Sequence, residues 1–144
     1  MTYLWCGMDG WCYLFNVVDT FTRKRVGYSF DVSASKDAAV ESVINAMTSE
    51  KPDASGLTIQ TDNGSQYVSR KFRESVQIPS VRQEFIYHHT FKKEYIWPHE
   101  FANYQEAEVA IAKAFSSYNQ ARIYSAPGYL TPNEFARSCG MRNK

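Results

Sequence analysis

The sequence predicts an α/β domain: a mixed sheet, made of a three-strand antiparallel meander and βα units, with helices packed on it. Three observations carry this. Two aromatic and β-branched runs, residues 2–6 and 11–18, flank the turn Gly7-Met8-Asp9-Gly10. A third such run, 25–32, follows a short polar connection, so three consecutive strands form a meander. Beyond residue 33, helical and strand periodicities alternate.

Each element has its own reason. The polar stretch Asp19-Thr20-Phe21-Thr22-Arg23-Lys24 joins the second strand to the third. Ser35 is a helix N-cap, and Asp37 in the first turn suits the helix dipole. Val40, Val43, Ile44 and Met47 recur at helical spacing, and that helix ends before Pro52. Residues 57–61 form a short strand, with Asp62-Asn63-Gly64-Ser65 as loop chemistry at its end. Ser69 caps a helix running to Val76, and Pro79 closes that unit. Residues 81–87 alternate as a strand. Tyr104, Ala107, Ile111, Ala114, Phe115 and Tyr118 put one apolar stripe on a long helix over about 104–120. Pro127-Gly128 is a turn. Thr131-Pro132 opens a last helix, with Thr131 as cap and Pro132 in its first turn.

Composition narrows the function classes. The chain has 144 residues, enough for one domain whose core needs no disulfides. With 16 Lys plus Arg against 15 Asp plus Glu, the net charge of +1 excludes a basic coat but leaves room for a local basic patch. Aromatics at 15% imply a core of rings with some left for a partner surface. The three cysteines, Cys6, Cys12 and Cys139, form no CxxC pair, which points to a reducing cytoplasm. Neither a secretory leader nor a membrane span is expected: Asp9 and Asn16 interrupt the apolar runs. His88 and His89 lack zinc-ligand spacing with each other or with Cys6 and Cys12.

The sharpest local feature is Thr61-Asp62-Asn63-Gly64-Ser65-Gln66-Tyr67. A strand delivers a carboxylate at its carboxyl end, and Gly64 gives the backbone freedom to turn. Such an end suits a hard cation, which takes fixed carboxylate oxygens plus water and phosphate. A plain Asx turn is the other reading of the same residues.

Thr61 to Tyr67 resembles the second-aspartate motif of the integrase core found in retroviral integrases and insertion-sequence transposases. Thr2-Tyr3-Leu4-Trp5, Gly10-Trp11-Cys12-Tyr13-Leu14 and Val17-Val18-Asp19-Thr20-Phe21-Thr22-Arg23 resemble its opening hairpin and its D-x-F-[ST]-R turn. Tyr118-Asn119-Gln120-Ala121-Arg122 through Pro132-Asn133-Glu134-Phe135 resembles its C-terminal motif. The resemblance implies a ribonuclease H-like fold and an integrase catalytic core over 1–139, followed by a tail at 140–144. It implies DNA transposition through a D-D-E triad holding two Mg²⁺ or Mn²⁺ ions, with transposon ends and target DNA as partners. Self-association, or association with intact transposase subunits, is the further partner it implies.

This sequence departs from the pattern in two places. Only Met1 stands where the family's first aspartate lies, immediately or almost immediately before Thr2-Tyr3. The segment that carries the third carboxylate is missing between Thr90 and Phe91, and Glu94 matches a trailing glutamate instead. Asp62 is thus the one catalytic and metal-binding residue that maps, with Asn63 and Gly64 supporting its turn. Asp9, Asp19 and Glu84 do not replace the others: two belong to turns, and Glu84 points to solvent. For DNA contact the sequence offers Arg70, Lys71 and Arg73 after the Asp62 loop, Lys92 and Lys93, and Arg122. The first three fit a solvated helix face equally well, and Arg122 fits a role at the end of the long helix. The expectation is an integrase core of impaired catalytic capacity. A non-catalytic DNA- or transposase-binding fragment and an inert relic are its rivals.

Overall fold

The computed structural model describes residues 1–53, 56–76, 81–85, 100–123 and 128–140. Strands β1 (Thr2–Trp5), β2 (Trp11–Val18) and β3 (Arg25–Asp31) form the antiparallel meander in that order. One turn of 3₁₀ helix, Gly7–Asp9, makes the β1–β2 tip. Gly7 has φ +50°, and a Cβ there would strike the Ala102 backbone. Trp5 pairs with Trp11 and Thr2 with Leu14, as alternation of apolar residues requires. Between Val17 and Val18 the β2–β3 register shifts.

The β2–β3 connection is tied by Asp19. Its Oδ1 accepts the Phe21 N–H at 2.9 Å, and its Oδ2 accepts the Thr22 hydroxyl at 2.9 Å. Helix α1 (Lys36–Glu50) starts at Ser35, whose hydroxyl accepts the Ala38 N–H at 3.0 Å. It ends at Lys51, which has φ +45°, one residue before Pro52. α1 lies across β3 and β2. Gly27 makes that approach possible: a Cβ there would come within 2.7 Å of the Ala46 Cα.

β4 (Thr58–Thr61) and β5 (Arg82–Phe85) pair in parallel. The antiparallel and parallel parts form two separate hydrogen-bonded ladders. What joins them is packing. Phe15 of β2, Ala38, Ala39, Val40 and Val43 of α1, Tyr67, and Phe72 and Val76 form one buried cluster, with Met1 and Ile59 at its margin. The last two residues of the buried set lie on α3 (Arg70–Val76), which Ser69 caps by accepting the Phe72 N–H at 3.1 Å. Ile44, expected inside, is 54% exposed. The buried side of α1 carries Ala38, Ala39, Val40, Ser42, Val43 and Ala46 instead, with Ala46 set directly against Gly27 of β3.

The other face of the meander carries α4 (Tyr104–Ala121). Asn103 caps it by accepting the Glu106 N–H at 2.9 Å. Cys6, Cys12, Phe101 and Ala107 form a second buried cluster with Leu4, Phe30 and Tyr104 around it. The Asp9 carboxylate in the hairpin tip accepts the Tyr104 N–H at 2.7 Å, and the Met8 N–H donates to the Ala102 carbonyl at 3.1 Å. α5 (Pro132–Ser138) opens with the expected cap: Thr131 and Glu134 form a reciprocal capping box, with Pro132 in the first turn. Pro127 and the tail beyond 140 lie outside the described residues.

Candidate active site at the end of strand β4

Parallel pairing with β5 fixes β4 up to Thr61, so the chain leaves the sheet at Asp62. Asp62 Oδ1 accepts the Gly64 N–H at 2.8 Å, an Asx turn. The turn feeds α2 (Ser65–Val68), a single helical turn that the sequence reading did not assign; it begins at the last residue of the Asp62–Ser65 loop. Gly64 has an ordinary φ of −57°, so the expected conformational freedom is not why it is there. A Cβ at Gly64 would lie 2.8 Å from Gln66 Oε1 and 2.9 Å from Asp62 Oδ1. The position is glycine because the carboxylate and the amide close over it.

The residues beneath hold this turn. Gln66 is buried, and its Nε2 donates to the Met1 thioether at 3.0 Å. That contact sets the first residue of the chain against the Asp62 turn. Gln83 Nε2 on β5 donates to Thr61 Oγ1 and to the Tyr67 carbonyl, both at 3.1 Å, tying strand end and α2 together. The Tyr67 ring meets Phe15 and Phe72 edge-on at 6.3 and 5.2 Å. Burial first, and then the charge of Asp62, push its hydroxyl pKa up, so it stays a neutral phenol.

The other candidates fall elsewhere. Asn63 is exposed on the turn. Arg70 pairs with Glu74 at 3.4 Å, and Lys71 pairs with Asp37 at the start of α1. Arg73 donates to the Val68 carbonyl at 2.5 and 3.1 Å. Arg70 and Lys71 thus sit in exposed ion pairs and Arg73 on a backbone carbonyl, contacts that cost little to give up. Arg122 closes α4, with its guanidinium 5.7 Å from the Tyr118 ring. Lys92, Lys93, His88, His89 and Glu94 lie outside the described residues. Glu84 is exposed on β5, Asp9 sits in the hairpin tip, and Asp19 holds its own turn.

The sequence reading missed two partners. Met1 and Gln66 meet across 65 residues, and no local pattern encodes that contact. Gln83 could have been suspected as a polar residue alternating inward on a short strand. Among the described residues, no group of three or more His, Cys, Asp or Glu side chains is placed to hold a metal ion.

The chain matches family models described as integrase core domain over residues 1–90 and 87–132. It is 27% identical to the transposase for insertion sequence element IS904 of Lactococcus lactis subsp. lactis (strain IL1403), an alignment covering 90% of this chain and 56% of that protein. The chain thus spans about half the length of this curated relative. Two solved structures share the fold. The HTLV-2 integrase catalytic core domain in complex with magnesium superposes with a TM-score of 0.71 at 19% identity, covering 93% of this chain and 90% of that one. The simian T-cell lymphotropic virus intasome in complex with PP2A regulatory subunit B56 gamma gives 0.71 at 15% identity, covering 93% and 51%. With its ribonuclease H-like architecture and with the first family match spanning well over half its length, the chain belongs to the integrase core domain family.

Proposed function

We propose that residues 1–139 are the core module of an insertion-sequence transposase that works on DNA in the cytoplasm, and that the 144-residue chain does not itself join strands. The observation that carries this is the setting of Asp62. It stands at the carboxyl end of a paired strand, with Oδ1 accepting the Gly64 N–H at 2.8 Å. Mg²⁺ and Mn²⁺ take several oxygen ligands and give up water reluctantly. Among the described residues no group of three or more His, Cys, Asp or Glu side chains joins Asp62, which falls short of the three-carboxylate set that the resemblance implies.

The role proposed for the chain is binding: to transposon-end or target DNA, or to intact transposase subunits. Two well-packed clusters support this over an inert relic, since a domain without a packed core holds no surface in place. With a net charge of +1, its DNA binding is expected to be weak and salt-sensitive.

Three measurements test the proposal: strand joining and nicking with Mn²⁺, gel shift against salt, and pull-down by an intact transposase. The expected result is a salt-dependent shift or capture with no joining. Metal-dependent joining abolished by Asp62→Ala would overturn the lack of activity. Absence of both DNA binding and capture would overturn the role.

A further inference from the structure

We propose that Asn45, Tyr104 and Asn119 guard the outer edge of β3 and so close it to strand addition by a second copy of this chain. The device is separate from the DNA-binding reading above. β3 ends the three-strand ladder, so its far side is an edge. The strand is a good template: Val26, Tyr28 and Phe30 are strong strand formers, and a bare edge invites pairing. An antiparallel second copy centred on Tyr28 would take the Tyr28 carbonyl for its own Tyr28 N–H. The same register sets Phe30 of each chain against Val26 of the other.

Successive carbonyls of a strand point to opposite sides, so those of Tyr28 and Phe30 point to the same one. Helix side chains take both. Asn45 of α1 donates its Nδ2–H to the Tyr28 carbonyl at 2.9 Å. The Tyr104 hydroxyl, at the start of α4, donates to the Phe30 carbonyl at 2.7 Å. At the near end of the strand, Asn119 of α4 bonds both backbone groups of Arg25 at 2.8 Å. α1 and α4 lie on opposite faces of the meander, so the edge is clasped from both. The bonds a second copy needs are thus already made within the chain. Two of the guards can be removed with little loss of packing: Asn45 is exposed, and Tyr104→Phe keeps the ring that stacks on Phe30 at 4.8 Å.

The test is sedimentation velocity of the full chain over a range of concentrations, with hydrogen exchange read at the Tyr28 and Phe30 amides. The double variant Asn45→Ala/Tyr104→Phe frees both carbonyls and is expected to self-associate about tenfold more tightly than the parent chain. Exchange at Tyr28 and Phe30 should slow in the associated form. Asn45→Lys puts a charged donor on the edge and is expected to associate no more than the parent. Equal association of parent and double variant overturns the guard. Association that leaves exchange at Tyr28 and Phe30 unchanged also overturns it, since another surface then pairs. So does an Asn45→Lys variant that associates as tightly as the double variant. Cooperative melting checks the fold of each variant, and where the double variant loses it, Asn45→Ala alone decides by the same two readouts.

Discussion

Asn119 holds Arg25 by both of its backbone groups. Its Oδ1 accepts the Arg25 N–H at 2.8 Å and its Nδ2 donates to the Arg25 carbonyl at 2.8 Å. A side chain on α4 thus serves as the neighbouring strand at the place where the β2–β3 register shifts. The Arg25 guanidinium lies 4.2 Å from the Tyr118 ring centroid, and its Nη1 donates to Asn16 Oδ1 at 3.0 Å.

Asn119→Ala removes both backbone bonds at once. Each such bond is worth about 1 kcal/mol net, so a loss of about 2 kcal/mol is expected. Thermal unfolding would show it as a drop of roughly 5–10 °C in Tm. An unchanged Tm would show that water replaces the amide at no cost.

Gly27→Ala tests the contact between β3 and α1. The added methyl meets the Ala46 backbone and Cβ, which cannot rotate away. Overpacking of this kind costs about 1–3 kcal/mol. Urea unfolding should show a lower midpoint with an unchanged slope.

Asp62→Asn keeps an oxygen for the Gly64 N–H, whereas Asp62→Ala does not. The first is expected to melt within about 0.5 kcal/mol of the parent chain, and the second about 1 kcal/mol lower. A large loss in Asp62→Asn would mean that the charge itself supports the fold.

The thiols should react unequally. Cys6 and Cys12 are fully buried and Cys139 is exposed. Burial, and then the neighbouring Cys12, push the Cys6 pKa up to about 12. A thiol reagent at pH 8 should titrate Cys139 fast and the other two only on unfolding. The sign of the pH dependence follows. Between the ordinary thiol range near 9 and about 12 the unfolded chain sheds the Cys6 proton first, so stability falls as pH rises through that window. Cys6→Ala should flatten that fall.

Local chemistry made much of this fold legible. Ser35, Thr131 and Pro132 mark helix starts by their own hydrogen bonds or fixed φ, and alternation sets the meander. Where neighbours decide, the sequence says less. Ile44 fits the helical period, yet the helix turns Val40, Val43 and Ala46 inward, Ala46 against Gly27 of β3, and leaves Ile44 exposed. α2 escaped notice because Gly64 opens it without a side-chain cap. At the site, the position of Asp62 was readable from strand and turn. The packing of Gln66 on Met1 was not, because no periodicity links residues so far apart in the chain.

The tip of the first hairpin is seated on the start of α4 through Asp9 with Tyr104 and Met8 with Ala102. β1 can pair with β2 early, but these tip contacts form only after more than ninety further residues have been synthesised. On the ribosome, Cys6 and Cys12 stay wet until α4 emerges, and closure of the domain is a late event. A nascent chain stalled before residue 100 should remain open to protease at its N-terminus, whereas the released protein should not.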